Sequence, residues 1–422
     1  MPAPVPPLPS APLAAVEDTP PEQPVSGAGH RLRITLLMAG SCLPILGAVL
    51  VAPVLPRMRD HFAGTPGVEA LVPMALTIPA LSLALLAPFA GIVVDRLGRR
   101  RLLVIATVLY AIVGTAPLWL DSLGAIVASR VLVGVVEAAI MTCCTTLIGD
   151  YYSGRRRDRY LAMQTMCAST SATAFFALGG AAGSAGWRAP FWAYAVSLLL
   201  APAMAAFLPR PVPRRADDAT APYPSTPAEP TGRSFPWRPL AGTCALTVLG
   251  AVLFYTVQVE MAFLLDDMGV TDPGMIGLAI AASSGATVIG AVVFTRFGRT
   301  PDAWLPTVFA LCALGFAVIR LAPDPVVLTA GAMINCFGGG IMLPSLLTRA
   351  LSRLDYADRG RGTGLWTGSF FIGQFICPLV VLALTSAVGS LAGAFGVLAL
   401  AGAVGAAGLG LAARRQVPST AR

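Results

Sequence analysis

Arg130 and Glu137 stand seven residues apart in SRVLVGVVEAA (129–139), inside a long apolar stretch. In a helix seven residues are two turns, so both side chains fall on one face, with Gly134 between them. Charged groups at membrane depth are costly and are functional suspects by default. An apolar setting and a neighbouring arginine act on a carboxyl in opposite senses. The pair suits a Glu137 that takes up and releases a proton, with Arg130 tuning it or holding an anionic group of a substrate. A buried structural pair that locks the helices is the alternative reading.

A second concentration of charge lies in GIVVDRLGRRR (91–101), between two apolar runs. Gly91 would let neighbouring helices approach closely, as small residues do in membranes. Asp95 sits one turn later beside Arg96 and Arg99, and Gly98 and Arg100 complete the group. Asp150, at the end of the stretch that carries Glu137, is a partner in reach of Arg96 or Arg99. A charge pair there could lock one conformation and break in another; a purely topological role for the arginines is the plainer reading. Glu260, Asn335, Gln164 and Gln374 are further polar residues in apolar stretches. Glu260 is expected near the outer mouth, as a gate, an entry residue or a solvated interfacial carboxylate. Asn335 is the preferred substrate contact among the amides. Phe254, Tyr255, Met141 and Trp366 could line a cavity, although packing accounts for any one of them.

Catalytic and metal chemistry find little support. His30 and His61 are the only histidines, and both fall outside the apolar runs. There is no HExxH, P-loop or Gly-x-Ser-x-Gly pattern. The eight cysteines all lie in apolar runs and none forms a CxxC spacing, so they read as small core residues. Asp266 and Asp267 lack a second acidic cluster that would hold a divalent metal. An enzyme is not expected, and neither is a cofactor.

These side chains need elements to hold them, and composition says which. Hydrophobic residues make up 56% of the 422 and charged residues 12%. That is too little charge to cover the surface of soluble domains, where roughly a quarter of residues are charged. The net charge of +8 could suggest nucleic acid, but the basic residues fall in gaps between apolar runs rather than over faces. Runs lie near 34–56, 70–93, 102–120, 124–149, 160–184, 188–208, 239–263, 274–294, 303–321, 326–347, 363–386 and 391–412. Each is close to the roughly 17–25 residues of a bilayer-spanning helix. Without water in the bilayer core, backbone groups must be satisfied within each segment, so helices are required. Glu137 then lies about 20 Å into the fourth run, at 1.5 Å per residue.

All 29 basic residues are arginine. With the N-terminus inside, 24 of them face the cytoplasm and four face outward, leaving Arg130 within a span. The bias predicts that both termini lie inside. Residues 1–33 are Pro/Ala-rich and read as a disordered cytoplasmic tail, and 413–422 as a second tail. Residues 209–238 are Pro-rich and polar, a flexible cytoplasmic linker. It separates six-helix bundles at 34–208 and 239–412. The bundles look related: LPILGAVLVAPVLPRM (43–58) aligns with LTVLGAVLFYTVQVEM (246–261) at an offset of 203, and VDRLGRR (94–100) with FTRFGRT (294–300) at 200. Thr295 stands where Asp95 would repeat, so a gate of this kind is expected to be asymmetric.

On these residues the chain resembles the major facilitator superfamily of secondary transporters, over roughly 34–412. GIVVDRLGRRR is similar to that family's signature between helices 2 and 3. SRVLVGVVEAA resembles its R-x-x-x-G pattern in helix 4, and LGGAAGSAGWRAPF (178–191) a passage spanning helices 5 and 6. The resemblance implies two pseudo-symmetric bundles with a midplane substrate site between them, worked by rocking alternating access. It also implies the cytoplasmic gate. Antiporters of the family often carry G-P-x-x-G-G in helix 5; here Gly179-Gly180 is present, while Phe175 and Phe176 replace the Gly-Pro.

The expected protein is therefore all-α, with twelve transmembrane helices, in a bacterial cytoplasmic membrane. A channel or non-transporting receptor fits two-fold repetition less well than a rocking carrier. Export of a small organic molecule such as a drug, metabolite or siderophore, driven by the proton gradient, is the first reading; proton-coupled uptake is the alternative. Its partners are a small molecule and the lipid bilayer, with no nucleic acid, and a monomer is expected.

Overall fold

The computed structural model describes residues 27–87, 89, 94, 96–209, 237–297, 300–352, 354 and 358–415. Most of the N-terminal tail, the linker 210–236, Gly91 and Asp95 lie outside them.

Among the described residues, twelve helical segments follow one another. α1 is Gly27–Val49, continued through a 3-10 turn at Ala52–Val54 into Leu55–His61. Next come α2 (Val68–Leu86), α3 (Arg99–Gly114), α4 (Leu123–Tyr151) and α5 (Gly154–Gly183). α6 is a 3-10 stretch, Ala189–Val196, that becomes α-helical over Ser197–Phe207. The second half holds α7 (Trp237–Asp267), α8 (Pro273–Arg296), α9 (Pro301–Arg320), α10 (Pro325–Ser352), α11 (Arg359–Val388) and α12 (Leu391–Arg415). Eleven of the twelve are long and apolar enough to cross a membrane.

The remaining one is α5. It has 30 residues, ample length, but it carries arginines at one end and a run of hydroxyls in the middle. Thr165, Ser169 and Ser171 return hydrogen bonds to carbonyls within the helix, which lets hydroxyl side chains sit at membrane depth. Its length, rather than its mean hydropathy, matches a membrane-spanning helix.

Helix starts follow local chemistry. The Ser122 hydroxyl caps α4 by accepting from the Ala125 N–H. Asp272 caps α8 by accepting from Met275 at 3.0 Å, and Asp324 accepts from Val326 and Val327 at 2.9 Å ahead of α10. Proline at the first position of α8, α9 and α10 needs no N–H there and presets the helical φ. α1 begins seven residues before its apolar run, at Gly27. His30 on this extension meets the Tyr160 hydroxyl at 2.8 Å and packs edge-on against Tyr152.

Within each half the helices pair alike: α3 lies against α4 as α9 lies against α10. The halves meet along two seams, α5 with α8 and α2 with α11. Glycine makes the first seam possible. A Cβ on Gly180 would stand 2.4 Å from the Pro273 carbonyl oxygen, and one on Gly179 would stand 2.0 Å from that of Leu50. The Gly179-Gly180 pair thus lets α5 touch α1 on one side and α8 on the other, backbone to backbone.

Candidate functional site

Glu137 is enclosed by its own half. It is 1% exposed, and its Oε1 has no hydrogen-bond partner. The carboxyl lies against α1 at Gly47, where a Cβ would stand 1.8 Å from Oε1 and 3.1 Å from the Tyr110 hydroxyl. Only glycine leaves that space. Tyr110, from α3, is fully buried and donates to the Leu43 carbonyl at 2.5 Å.

Arg130, two turns away, is 2% exposed. Its Nη1 donates to the Tyr194 hydroxyl at 2.7 Å and its Nη2 to the Gly114 carbonyl at 3.0 Å. Its guanidinium lies 4.9 Å from the centre of the Tyr194 ring and 5.2 Å from that of Phe191. Tyr194 and Tyr110 are themselves in ring contact at 5.0 Å. Glu137 and Arg130 therefore share one niche between α1, α3, α4 and α6, yet no ion pair joins them. Both Nη groups of Arg130 are taken by Tyr194 and Gly114, while its Nε has no hydrogen-bond partner. Sequence reading missed Tyr110, Tyr194 and Gly47. The available signal was that these tyrosines are polar residues in apolar runs, and that Gly47 stands in the repeated LGAVL.

Gly134 does not face the acid. A Cβ there would stand 2.4 Å from the Pro79 carbonyl oxygen, so this glycine seats α4 on α2. Asn335 is fully buried inside the second half and donates to the Cys312 carbonyl at 3.5 Å, with its Oδ1 unpartnered. Gln164 ties α5 to α1 and α4 through Ser41 at 2.8 Å and Thr145 at 3.2 Å. Gln374 is buried with its Oε1 unpartnered. Trp366 stacks on Phe370 at 5.9 Å, and Tyr255 meets the same ring at 5.5 Å, so these aromatics of α7 and α11 form one cluster.

At the cytoplasmic ends, Arg99 pairs with Asp150, joining α3 to α4. Arg100 donates to the Ala205 carbonyl at the end of α6. Gly98 enters α3 with φ at 82°, a conformation that favours glycine, and Arg96 is exposed. The second half, expected to differ because Thr295 stands where Asp95 would repeat, has its own pair: Arg349 on α10 with Asp302 on α9. The charges are exchanged. In the first half the arginine opens the helix pair and the aspartate closes it; in the second the aspartate opens it. Thr295 merely bonds back to Val292.

At the outer ends the halves are joined. Arg59 on α1 pairs with Asp266 on α7 at 3.2 Å, and Arg57 donates to the carbonyls of Gly183 and Thr271. Glu260 is 6% exposed there, buried rather than solvated, and lines a cavity with Arg59 and Glu69.

Twelve helices in two like halves, closed together at one end and carrying buried charge inside one bundle, define a multi-pass membrane carrier. The chain belongs to the Major Facilitator Superfamily, whose family model matches residues 37–354. It is accordingly a secondary transporter and not an enzyme. It is 27% identical over 385 residues to the class C tetracycline resistance protein of Escherichia coli, across 85% of this chain and 90% of that one. It is 28% identical over 176 residues to multidrug resistance protein 1 of Bacillus subtilis, 40% of this chain and 43% of that one. Among solved structures, a bacterial homolog of the human lysosomal transporter Spinster, inward-facing and occupied, superposes with a TM-score of 0.72 at 16% identity, over 92% of this chain and 98% of that one. A POT peptide transporter in complex with sulfate gives 0.68 at 16% identity, over 90% and 94%. At these identities the two structures speak for the fold.

Proposed function

We propose that this protein exports a small organic molecule from a bacterial cell in exchange for protons, and that Glu137 carries the coupled proton. The observation behind this is the Glu137 carboxyl itself, buried in the first bundle with Oε1 unpartnered and Gly47 packed on it. A carboxylate charge in such a niche has to be met by water or by Arg130. Movement of α1 relative to α4 changes which of them can reach it, and that couples the proton to the conformation. Arg130, held by Tyr194 and Gly114, stays in place as the fixed positive charge. The direction of transport is supported by the resistance proteins it resembles, since a membrane carrier protects a cell from a toxic compound by moving it out. Their bacterial origin and the arginine bias favour the cytoplasmic membrane. The Arg99–Asp150 pair acts as a latch that holds α3 and α4 together in one conformation.

The test compares the culture medium of a deletion strain with that of strains complemented by the wild type or by Glu137→Gln, using untargeted mass spectrometry. A compound outside only with the wild type identifies an export substrate. That compound is then followed in proteoliposomes with an imposed pH gradient. Glu137→Gln is expected to abolish gradient-driven accumulation while keeping protein level and unfolding midpoint. Full proton-coupled transport by Glu137→Gln would remove the acid from the mechanism. Depletion of a compound from the medium by the wild type would make the protein an importer.

A further inference from the structure

The outer mouth holds a second set of charges that the proton reading does not use. A cavity of about 150 Å³ lies at the seam between the halves. Its polar lining is Arg59 from α1, Glu69 from α2, Glu260 and Asp267 from α7, and Thr385 from α11. Three carboxylates thus face one guanidinium, and that guanidinium is already engaged. Arg59 pairs with Asp266 at 3.2 Å and with Asp60 at 3.9 Å, and it lies over the Phe263 ring at 5.1 Å.

Glu260 is the floor of this cavity. It is 94% buried by its 6% exposure, and among the described residues it makes no hydrogen bond and no ion pair. The Thr385 hydroxyl is also buried and without a hydrogen-bond partner. Glu69 and Asp267 are exposed and form the rim. The lining therefore has an excess of negative charge, hard oxygen donors and a buried Thr385 hydroxyl left without a partner.

We propose that this cavity binds a small monovalent inorganic cation of the sodium class, held by Glu260 and Thr385 with Glu69 at the rim. Oxygen ligands suit such ions. A water molecule occupies about 30 Å³ of liquid, so the cavity has room for the ion and part of its hydration shell. A multivalent ion is disfavoured: the three carboxylates line one cavity, but among the described residues no three acidic, histidine or cysteine side chains converge closely enough to hold a metal ion together. Because Glu69 belongs to one half and Glu260 and Thr385 to the other, the bound ion bridges them. It reinforces the closure that Arg59–Asp266 makes, and occupancy favours the state that is shut to the outside.

The test uses the full-length protein in nanodiscs and measures no transport, so its failure leaves the Glu137 reading untouched and the reverse holds too. Sodium chloride is exchanged for choline chloride at constant ionic strength and pH, and the unfolding midpoint is recorded; potassium and magnesium chloride are run in parallel. A saturable rise of the midpoint with sodium or potassium but not choline is expected. Glu260→Gln should abolish it, and Thr385→Val should raise the half-saturating concentration about tenfold, the loss of one ligand. Equilibrium dialysis with radioactive sodium should give one ion per chain, a stoichiometry that can be read even if Glu260→Gln folds poorly. An equal rise with choline, saturation only by magnesium, a response to pH alone, or unchanged binding in Thr385→Val and Glu69→Gln would each overturn the site.

Discussion

In the first half, the space between α1, α3, α4 and α6 holds Arg130, Glu137, Tyr110 and Tyr194. In the second, the matching space between α7, α9, α10 and α12 holds Phe309, Phe316, Phe395, Cys312 and Asn335. The helices pair in the same way in both. The contrast is sharpest at one glycine. Gly47 and Gly250 are repeat partners, 203 residues apart. A Cβ on Gly47 would strike the Glu137 carboxyl, whereas a Cβ on Gly250 would stand 2.7 Å from the Met342 sulfur. An acid in one half is thus matched by a thioether in the other. Of these two matching spaces, only the first holds charged side chains among the described residues.

The largest effect should come from removing the centre of the charged interior. Arg130→Ala leaves the Tyr194 hydroxyl and the Gly114 carbonyl without their donor and empties the space over two aromatic rings. Loss of a buried, hydrogen-bonded charge of this kind costs on the order of 3 kcal/mol. A clear fall in the unfolding midpoint in detergent is expected, together with loss of transport. A variant as stable as the wild type would mean that the network is not structural.

Next comes the paired substitution of Gly47→Ala and Gly250→Ala. The same methyl group is added at the same place in each repeat. Gly47→Ala drives a Cβ into a carboxyl held in a packed niche, and transport should fall by about tenfold or more. Gly250→Ala meets the flexible end of Met342, which can turn aside, and should stay within about twofold. Equal effects, at equal protein levels by immunoblot, would erase the difference between the halves.

The contrast itself was only half legible in the sequence. Most of the apolar runs and the charged pair of α4 are plain in the sequence, because hydropathy and rarity of charge are local properties. The Arg99–Asp150 contact is one of the two that the sequence offers, Arg96 being the other arginine in reach, since these residues sit at helix ends on the arginine-rich side. The Arg349–Asp302 pair escaped because a repeat was sought by residue identity at Thr295. The ion pair of the second half is built from other residues with the charges exchanged, and identity cannot reveal that. Tyr110 and Tyr194 escaped for a different reason. A tyrosine in an apolar run reads as packing until three-dimensional placement brings its hydroxyl to a carbonyl or an arginine.

The exchanged ion pairs offer a smaller and cleaner test. Both lie at helix ends and are partly exposed, so each is worth about 0–1 kcal/mol to folding. Their larger influence falls on the balance between conformations. Asp150→Arg alone and Arg349→Asp alone should each reduce transport severalfold with little change in unfolding midpoint. The double reversal Arg99→Asp with Asp150→Arg, which copies the polarity of the second half, should recover most of the loss. Recovery by Asp302→Arg with Arg349→Asp would make the two latches equivalent. Recovery in one half alone would assign the latch to that half.

The smallest change belongs to Asn335. It is fully buried in the second interior, it donates weakly at 3.5 Å, and its oxygen has no partner. Hydrogen bonds between membrane helices average about 0.6 kcal/mol, and this one is long. Asn335→Leu replaces the amide by an apolar group of similar size and also removes the unsatisfied oxygen. Stability should therefore change by less than about 1 kcal/mol. Transport by the substrate-defined assay should be close to wild type, because the side chain faces α9 and not the seams between the halves. A selective loss of transport at full stability would reverse this assignment. It would mean that the second interior opens to the substrate during the cycle, and that the two halves divide the chemistry between proton and cargo.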